Sequence, residues 1–213
     1  MILKSVLFIA ILAAAARHCD VATGVCFSET RASDELTVRI AIPSDAAQVV
    51  AAPFDALLQL VAPKTAAGWA AIAWGGKMTK NPLTVAWANG NTTVVSSRWA
   101  DTRTPPASYP NATYTVLKRG SSVNATHWTL TALCERCSSW TDGNNSNSSS
   151  ARVVAINPDD KAAKFAFALA PTPPSRPADP VSPIAKHTVH GAFTLDLAAA
   201  KTERFDEYVK ALS

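Results

Sequence analysis

Residues 68–97 read GWAAIAWGGKMTKNPLTVAWANGNTTVVSS, and the fold is decided there. Trp69–Trp74, Leu83–Ala88 and Thr92–Ser97 are short runs rich in apolar and β-branched residues, each long enough for a strand and too short for a stable helix. Asn89-Gly90 between the last two is a hairpin signal, because a tight turn needs residues that accept positive φ. Between the first two runs lies a polar turn, Gly75 to Pro82, that carries Met78. Methionine more often fills gaps in a core. This one is the sole methionine besides the initiator, and it stands in a turn.

Outward from this stretch the pattern repeats. Leu36–Ile42 alternates apolar and polar residues at period two. Leu57–Val61, Tyr114–Lys118, His127–Leu133, Arg152–Ile156 and Phe165–Leu169 are further strand candidates, separated by Asn, Gly, Pro and Ser turns. Many short strands with turn signals predict an all-β sandwich or barrel. Pro171 to Pro183 is proline-rich and too near the end to link a second domain, so it is expected as an extended strap on the sandwich. A helix is expected over Ala199 to Leu212, with Phe205, Tyr208, Val209 and Leu212 on one face and an Asp206–Lys210 pair at i,i+4.

The first sixteen residues hold Lys4, the apolar run Val6 to Leu12 and four alanines, Ala13 to Ala16. A charged start, a short apolar centre and small residues before the cut predict a secretory signal peptide over 1–16, leaving a domain over 17–213. The apolar run is too short to span a bilayer, and no longer one follows. Five N-x-[ST] acceptors, at Asn91, Asn111, Asn124, Asn144 and Asn147, agree with a secreted, extracellular glycoprotein. The net charge of +4 comes without any Lys/Arg cluster, which gives nucleic-acid binding no support.

Four cysteines in an exported chain point to two disulfides. Three pairings are open, and the local one, Cys19–Cys26 with Cys134–Cys137, is preferred. Closing the short Cys19–Cys26 loop is worth roughly 2–3 kcal/mol on the chain-entropy account. Cys134-x-x-Cys137 is followed by Ser138 rather than His, so the pattern for covalent haem attachment is not met.

Four segments in order, GGKMTKNPLTVAWANG, VVSSRWA, NATHWTLTALCERC followed by SSW, and KHTVHGAFTLDLAAA, resemble the haem b cytochrome domain of fungal cellobiose dehydrogenases. The resemblance runs from about Cys19 to Leu212. It implies an immunoglobulin-like antiparallel β-sandwich with a short C-terminal helix, holding one non-covalent haem b with Met/His axial ligation. The methionine of the family's G-G-x-M turn is Met78. The histidine of its H-T-x-x-G-x-F motif is His187, with His190 three residues on as the alternative. The Cys134/Cys137 pair matches a C-x-x-C read in the family as a disulfide. The family's R-W-A-T-G-Y becomes Arg98-Trp99-Ala100-Asp101-Thr102-Arg103, which makes Arg98 and Arg103 candidate propionate partners through charge-assisted hydrogen bonds.

No flavin domain and no G-x-G-x-x-G fingerprint accompany these motifs, so the chain resembles the cytochrome without its dehydrogenase. The expected role is single-electron relay by a monomer, from an extracellular flavin or quinone dehydrogenase to an acceptor such as a lytic polysaccharide monooxygenase. Catalysis by the chain itself is not expected. A second reading is a haem-free secreted β-sandwich that binds carbohydrate or a cell-surface partner. For the tryptophans, Trp69, Trp74, Trp87 and Trp128 are expected in the core, with Trp99 or Trp140 as possible porphyrin contacts, and His127 as structural.

Overall fold

The computed structural model describes residues 16–49, 51–142 and 152–213. Residues 1–15 of the expected signal peptide, and the expected acceptors Asn144 and Asn147, lie outside them. In chain order the first strands are β1 (Ala16–Cys19), β2 (Cys26–Ser33), β3 (Leu36–Pro43), β4 (Ala56–Pro63), β5 (Trp69–Ala73) and β6 (Leu83–Asn89). Then come β7 (Thr92–Trp99), β8 (Ala107–Ser108), β9 (Thr113–Val116), β10 (Ser122–Val123) and β11 (His127–Glu135). The remainder are β12 (Ser139–Thr141), β13 (Val153–Ala155), β14 (Ala163–Ala170), β15 (Val189–Leu195), β16 (Lys201–Thr202) and the helix α1 (Phe205–Leu212).

Two sheets form the sandwich. One has eight strands along β1-β2-β3-β4-β11-β10, with β9 also pairing β11 and β16 pairing β3; the other is β15-β14-β5-β6-β7-β8. A small β12-β13 ribbon stands apart from both. Between the sheets, Leu36, Val38, Ile40, Leu58, Leu60, Trp128 and Leu130 meet Ile72, Trp74, Phe165, Phe167, Leu169 and Phe193. The Phe165 and Phe193 rings stack at 5.4 Å, and Trp74 meets Phe165 edge-on at 5.8 Å. Among the described residues no helix is long and apolar enough to cross a membrane.

The β6–β7 hairpin forms where Asn89-Gly90 stands, in a refined register. Asn89 pairs with Thr92, so the loop residues are Gly90 and Asn91, with positive φ at Gly90. Both disulfides follow the local pairing, Cys19–Cys26 and Cys134–Cys137.

Three expectations need correction. The terminal helix begins at Phe205 rather than Ala199, because Lys201–Thr202 are drawn into a parallel bridge with β3. The β2–β3 ladder ends at Ser28↔Ile40, and beyond it the Ile42 and Ser44 N–H groups donate to Ala200 and Thr202 (2.9 and 3.0 Å). The helix's ion pair is Arg204–Glu207 at 2.7 Å, rather than Asp206–Lys210. Strand β2 has no alternating pattern to betray it. It is held by its ladder and by the Arg39 Nε–Glu29 bond of 2.6 Å. Finally, Lys118 belongs to a 3-10 turn, Lys118–Gly120, and not to a strand.

Candidate functional site

Pleating sends alternate residues of a strand to opposite faces. In the six-stranded sheet the outward set is Trp69, Ala71 and Ala73 on β5, Leu83, Val85 and Trp87 on β6, and Ala166, Ala168 and Ala170 on β14. The outer face of an antiparallel sheet is usually polar. This one is apolar, and its centre is small. The ladder runs Val85–Ala71–Ala168–His190 across four strands, and the next rung runs Leu83–Ala73–Ala166–Ala192. Ala166 and Ala168 stay half-exposed. Ala71, Ala73 and Ala170 are buried, so the open part of this floor is the stretch around Ala166 and Ala168.

At one end of the floor stands the β5–β6 turn. Gly76 has φ +78° and Lys80, a non-glycine, has φ +59°. The turn is tied from below: the Lys80 N–H donates to Ala100 O (2.8 Å), and the Trp140 indole donates to Lys80 O (3.0 Å). Asn81, only 2% exposed, donates its amide to Lys77 O (3.1 Å) and Thr79 O (2.7 Å), the two carbonyls that flank Met78. A Cβ on Gly75 would lie 1.6 Å from the Asn81 Oδ1, so only glycine leaves room for this clamp. Met78 itself is half-buried and packs against the outer cluster. Its place in a turn is therefore a built position: the backbone on each side is pinned and the thioether is directed over the floor.

The strap defines the opposite rim. It leaves β14 so close to Gly68 that a Cβ there would sit 2.3 Å from Pro171 O. It crosses Trp87, whose indole donates to Pro177 O (2.7 Å), and it reaches Arg98. It then turns back past Ile184, which packs on the outer cluster, to His187 and β15. This bears out the expected strap. The His187 and His190 rings lie 4.6 Å apart, and His190 faces outward opposite Ala168. His187 is half-buried and His190 exposed. Desolvation, with the nearby His190 and Lys186 adding to it, holds the His187 imidazolium pKa below its usual value and favours the neutral ring.

Arg98 is assigned differently from the sequence expectation. It is 5% exposed, and its guanidinium donates to Pro180 O (2.7 Å), Ser182 O (2.8 Å), Pro106 O (3.3 Å) and Ser96 Oγ (2.6 Å). With its forks on backbone carbonyls it fastens the strap instead of waiting for a propionate. Arg103 is exposed in the Asp101–Pro106 loop. Trp99 and Trp140 do not reach the outer face. Trp99 stacks on Tyr109 at 4.9 Å in the inner core, and Trp140 is buried there too. All six tryptophans are buried.

The donor set is one thioether and two imidazoles around an apolar floor. Among the described residues no group of three or more His, Cys, Asp or Glu side chains could hold a metal ion. Iron already carried in a macrocycle needs only two axial ligands, and a flat apolar ring suits a floor of alanines. The Trp69 indole N–H, buried at the edge of that floor, finds no acceptor among the described residues. It is an orphan donor of the kind that a bound group's polar atom satisfies. Asn81 and the alanine rungs were missed by sequence reasoning. Asn81-Pro82 reads as an ordinary turn dipeptide, and the period-two alanines on β14 were the available signal.

Comparison with known proteins places these features. The family model described as the cytochrome domain of cellobiose dehydrogenase matches residues 18–207. A pyrroloquinoline quinone-dependent pyranose dehydrogenase from Coprinopsis cinerea is 30% identical over 160 residues, covering 75% of this chain and 20% of that protein. The chain thus spans about a fifth of the length of this curated relative. The cytochrome b domain of pyranose dehydrogenase from the same organism superposes with a TM-score of 0.75 at 27% identity, covering 93% of this chain and 95% of that one. The cytochrome domain of Myriococcum thermophilum cellobiose dehydrogenase, 23% identical, shares the fold at a TM-score of 0.75, covering 94% and 97%.

Proposed function

Since the chain belongs to the family of cytochrome domains of cellobiose dehydrogenase, a family that binds haem b, we propose that it is a secreted haem b protein that relays single electrons. Met78 and His187 would hold the iron, one from the clamped turn and one from the end of the strap. When bound, haem held by these two side chains would supply single-electron exchange, and a thioether donor would favour its reduced form. The protein's part is positional. Asn81 and Gly75 fix the Met78 turn, Arg98 fixes the strap that leads to His187, and the alanines would give the group an apolar surface.

The observation that carries this reading is that the Met78 turn and the His187/His190 pair rim the same alanine-floored face. The donor is an extracellular flavin or quinone dehydrogenase; that a curated relative is named as a quinone-dependent pyranose dehydrogenase supports the quinone option. The acceptor is a lytic polysaccharide monooxygenase. Two disulfides and exposed acceptors at Asn91, Asn111 and Asn124 support an extracellular setting. Haemin titration of the purified apoprotein tests the reading. A one-to-one complex with a low-spin spectrum that sharpens on dithionite reduction is expected; an apoprotein that leaves haemin in its free form overturns it.

A further inference from the structure

Charge is divided unevenly between the two sheets. Residues 69–100, which supply β5 to β7 and the Met78 turn, include Lys77, Lys80 and Arg98 and not one Asp or Glu. Residues 161–195, which supply β14, the strap and β15, include Lys161, Lys164, Arg176 and Lys186 against a single acid, Asp179. That acid is taken up by Arg176 at 3.0 Å. Asp20, Glu29, Asp34, Glu35, Asp55 and Glu135 lie on or beside the eight-stranded sheet, where Arg17, Arg31, Arg39, Lys118, Arg119 and Arg136 accompany them, and near the turn Asp142 is taken up by Lys80 at 3.7 Å.

The cations are placed as well as counted. Lys77 immediately precedes Met78 and Lys186 immediately precedes His187, and both are exposed. Lys164 is exposed on the outward set of β14, one rung beyond Ala166, and the Gly76 backbone lies directly against it. Three exposed ammonium groups therefore rim the floor, one beside each proposed ligand and one between the turn and β15. Like charges gathered around an apolar opening raise the local potential and steer a partner of opposite sign.

We propose that this rim is a docking surface for an acidic patch on a redox-partner protein, and that Lys77, Lys164 and Lys186 set its on-rate. The inference rests on the electron-relay reading for its purpose, though not for its geometry.

Two measurements test it, on wild type and on two charge-matched triple variants. One variant is Lys77→Glu/Lys164→Glu/Lys186→Glu at the rim. The other is Arg31→Glu/Lys118→Glu/Arg119→Glu at exposed positions on β2 and on the 3-10 turn beside the eight-stranded sheet. The first measurement uses the apoprotein and poly-L-glutamate as the acidic probe. Amide resonances around residues 77, 164 and 186 should shift, and only the rim variant should lose the effect. Shifts spread evenly, or centred on residues 31, 118 and 119, overturn the proposal.

The second measurement uses reduced, haem-loaded protein and follows its oxidation by ferricyanide or by hexaammineruthenium(III). One electron leaves the protein for each oxidant ion reduced, with no bond broken and no proton moved. Raising salt from about 10 mM to about 500 mM, which shortens the Debye length severalfold, should slow ferricyanide and speed the ruthenium complex. At low salt the rim variant should react with ferricyanide about tenfold or more slowly, within the range of electrostatic steering. The control variant should change far less. Equal effects from both variants would mean that net charge alone is read, and would sink the docking surface. Failure to load haem removes the second measurement and counts against the relay reading, while the footprint still decides the rim.

Discussion

The two outer faces of the sandwich are finished in opposite ways. On the eight-stranded sheet the chain supplies its own cover: Phe205, Tyr208 and Leu212 of α1 pack onto Val25, Phe27, Leu57 and Leu117, and large side chains meet large side chains. On the six-stranded sheet the alanines of β5 and β14 lie beside larger outward residues, Trp69, Leu83, Val85 and Trp87, and the cover is a strap and a turn at the two ends. A face closed by its own helix is saturated. A face with half-exposed alanines fenced by pinned loops is left partly open. The difference separates a site from ordinary packing without any ligand in view.

That comparison can be broken, most severely at the histidine. His187→Ala should abolish stable haemin binding while the apoprotein keeps its melting temperature, read by haemin titration and calorimetry. If His190→Ala does this instead, the axial role passes to His190. Next in size is a pair of opposed changes. Ala168→Leu puts bulk on the floor and should weaken haemin binding at least tenfold with little loss of fold stability. Leu57→Ala, beneath the helix, should cost about 2–4 kcal/mol in denaturant unfolding and leave haemin affinity intact. A swap of those outcomes would put the site on the wrong face.

Smaller effects sharpen the picture. Asn81→Ala frees the two carbonyls beside Met78 and should mix high-spin character into the spectrum. It should also speed tryptic cleavage after Lys77 and Lys80 in the apoprotein, because both lysines are exposed and held in the turn. Gly75→Ala should reproduce this by displacing the Asn81 side chain. A faster cleavage with an unchanged spectrum would make Asn81 a stability residue only. Smallest of all, His190→Ala should leave the spectrum nearly unaltered.

Much of this was legible in the sequence because strands advertise themselves. Leu36–Ile42 alternates, Phe165–Leu169 alternates, and Asn89-Gly90 fixes a hairpin within one residue. The resemblance then drew attention to Met78 and His187. What stayed hidden depends on partners remote in the chain. Strand β2 is polar and is defined by its ladder to β3. Lys201–Thr202 is a strand only because β3 has unpaired N–H groups beside it. Arg98 reads as a free cation in sequence, and its true task shows only when residues 180 and 182 are folded back onto it. Asn81 is the clearest case, since a two-residue turn signal concealed a buried clamp.

Strand β6 has a consequence for any sugar the protein carries. It runs from the Met78 turn at one end to Gly90-Asn91 at the other, seven residues or roughly 20 Å apart at strand rise. An oligosaccharide on Asn91 would therefore stand a strand's length from the Met78 turn, at the end of β6 where the strap crosses Trp87.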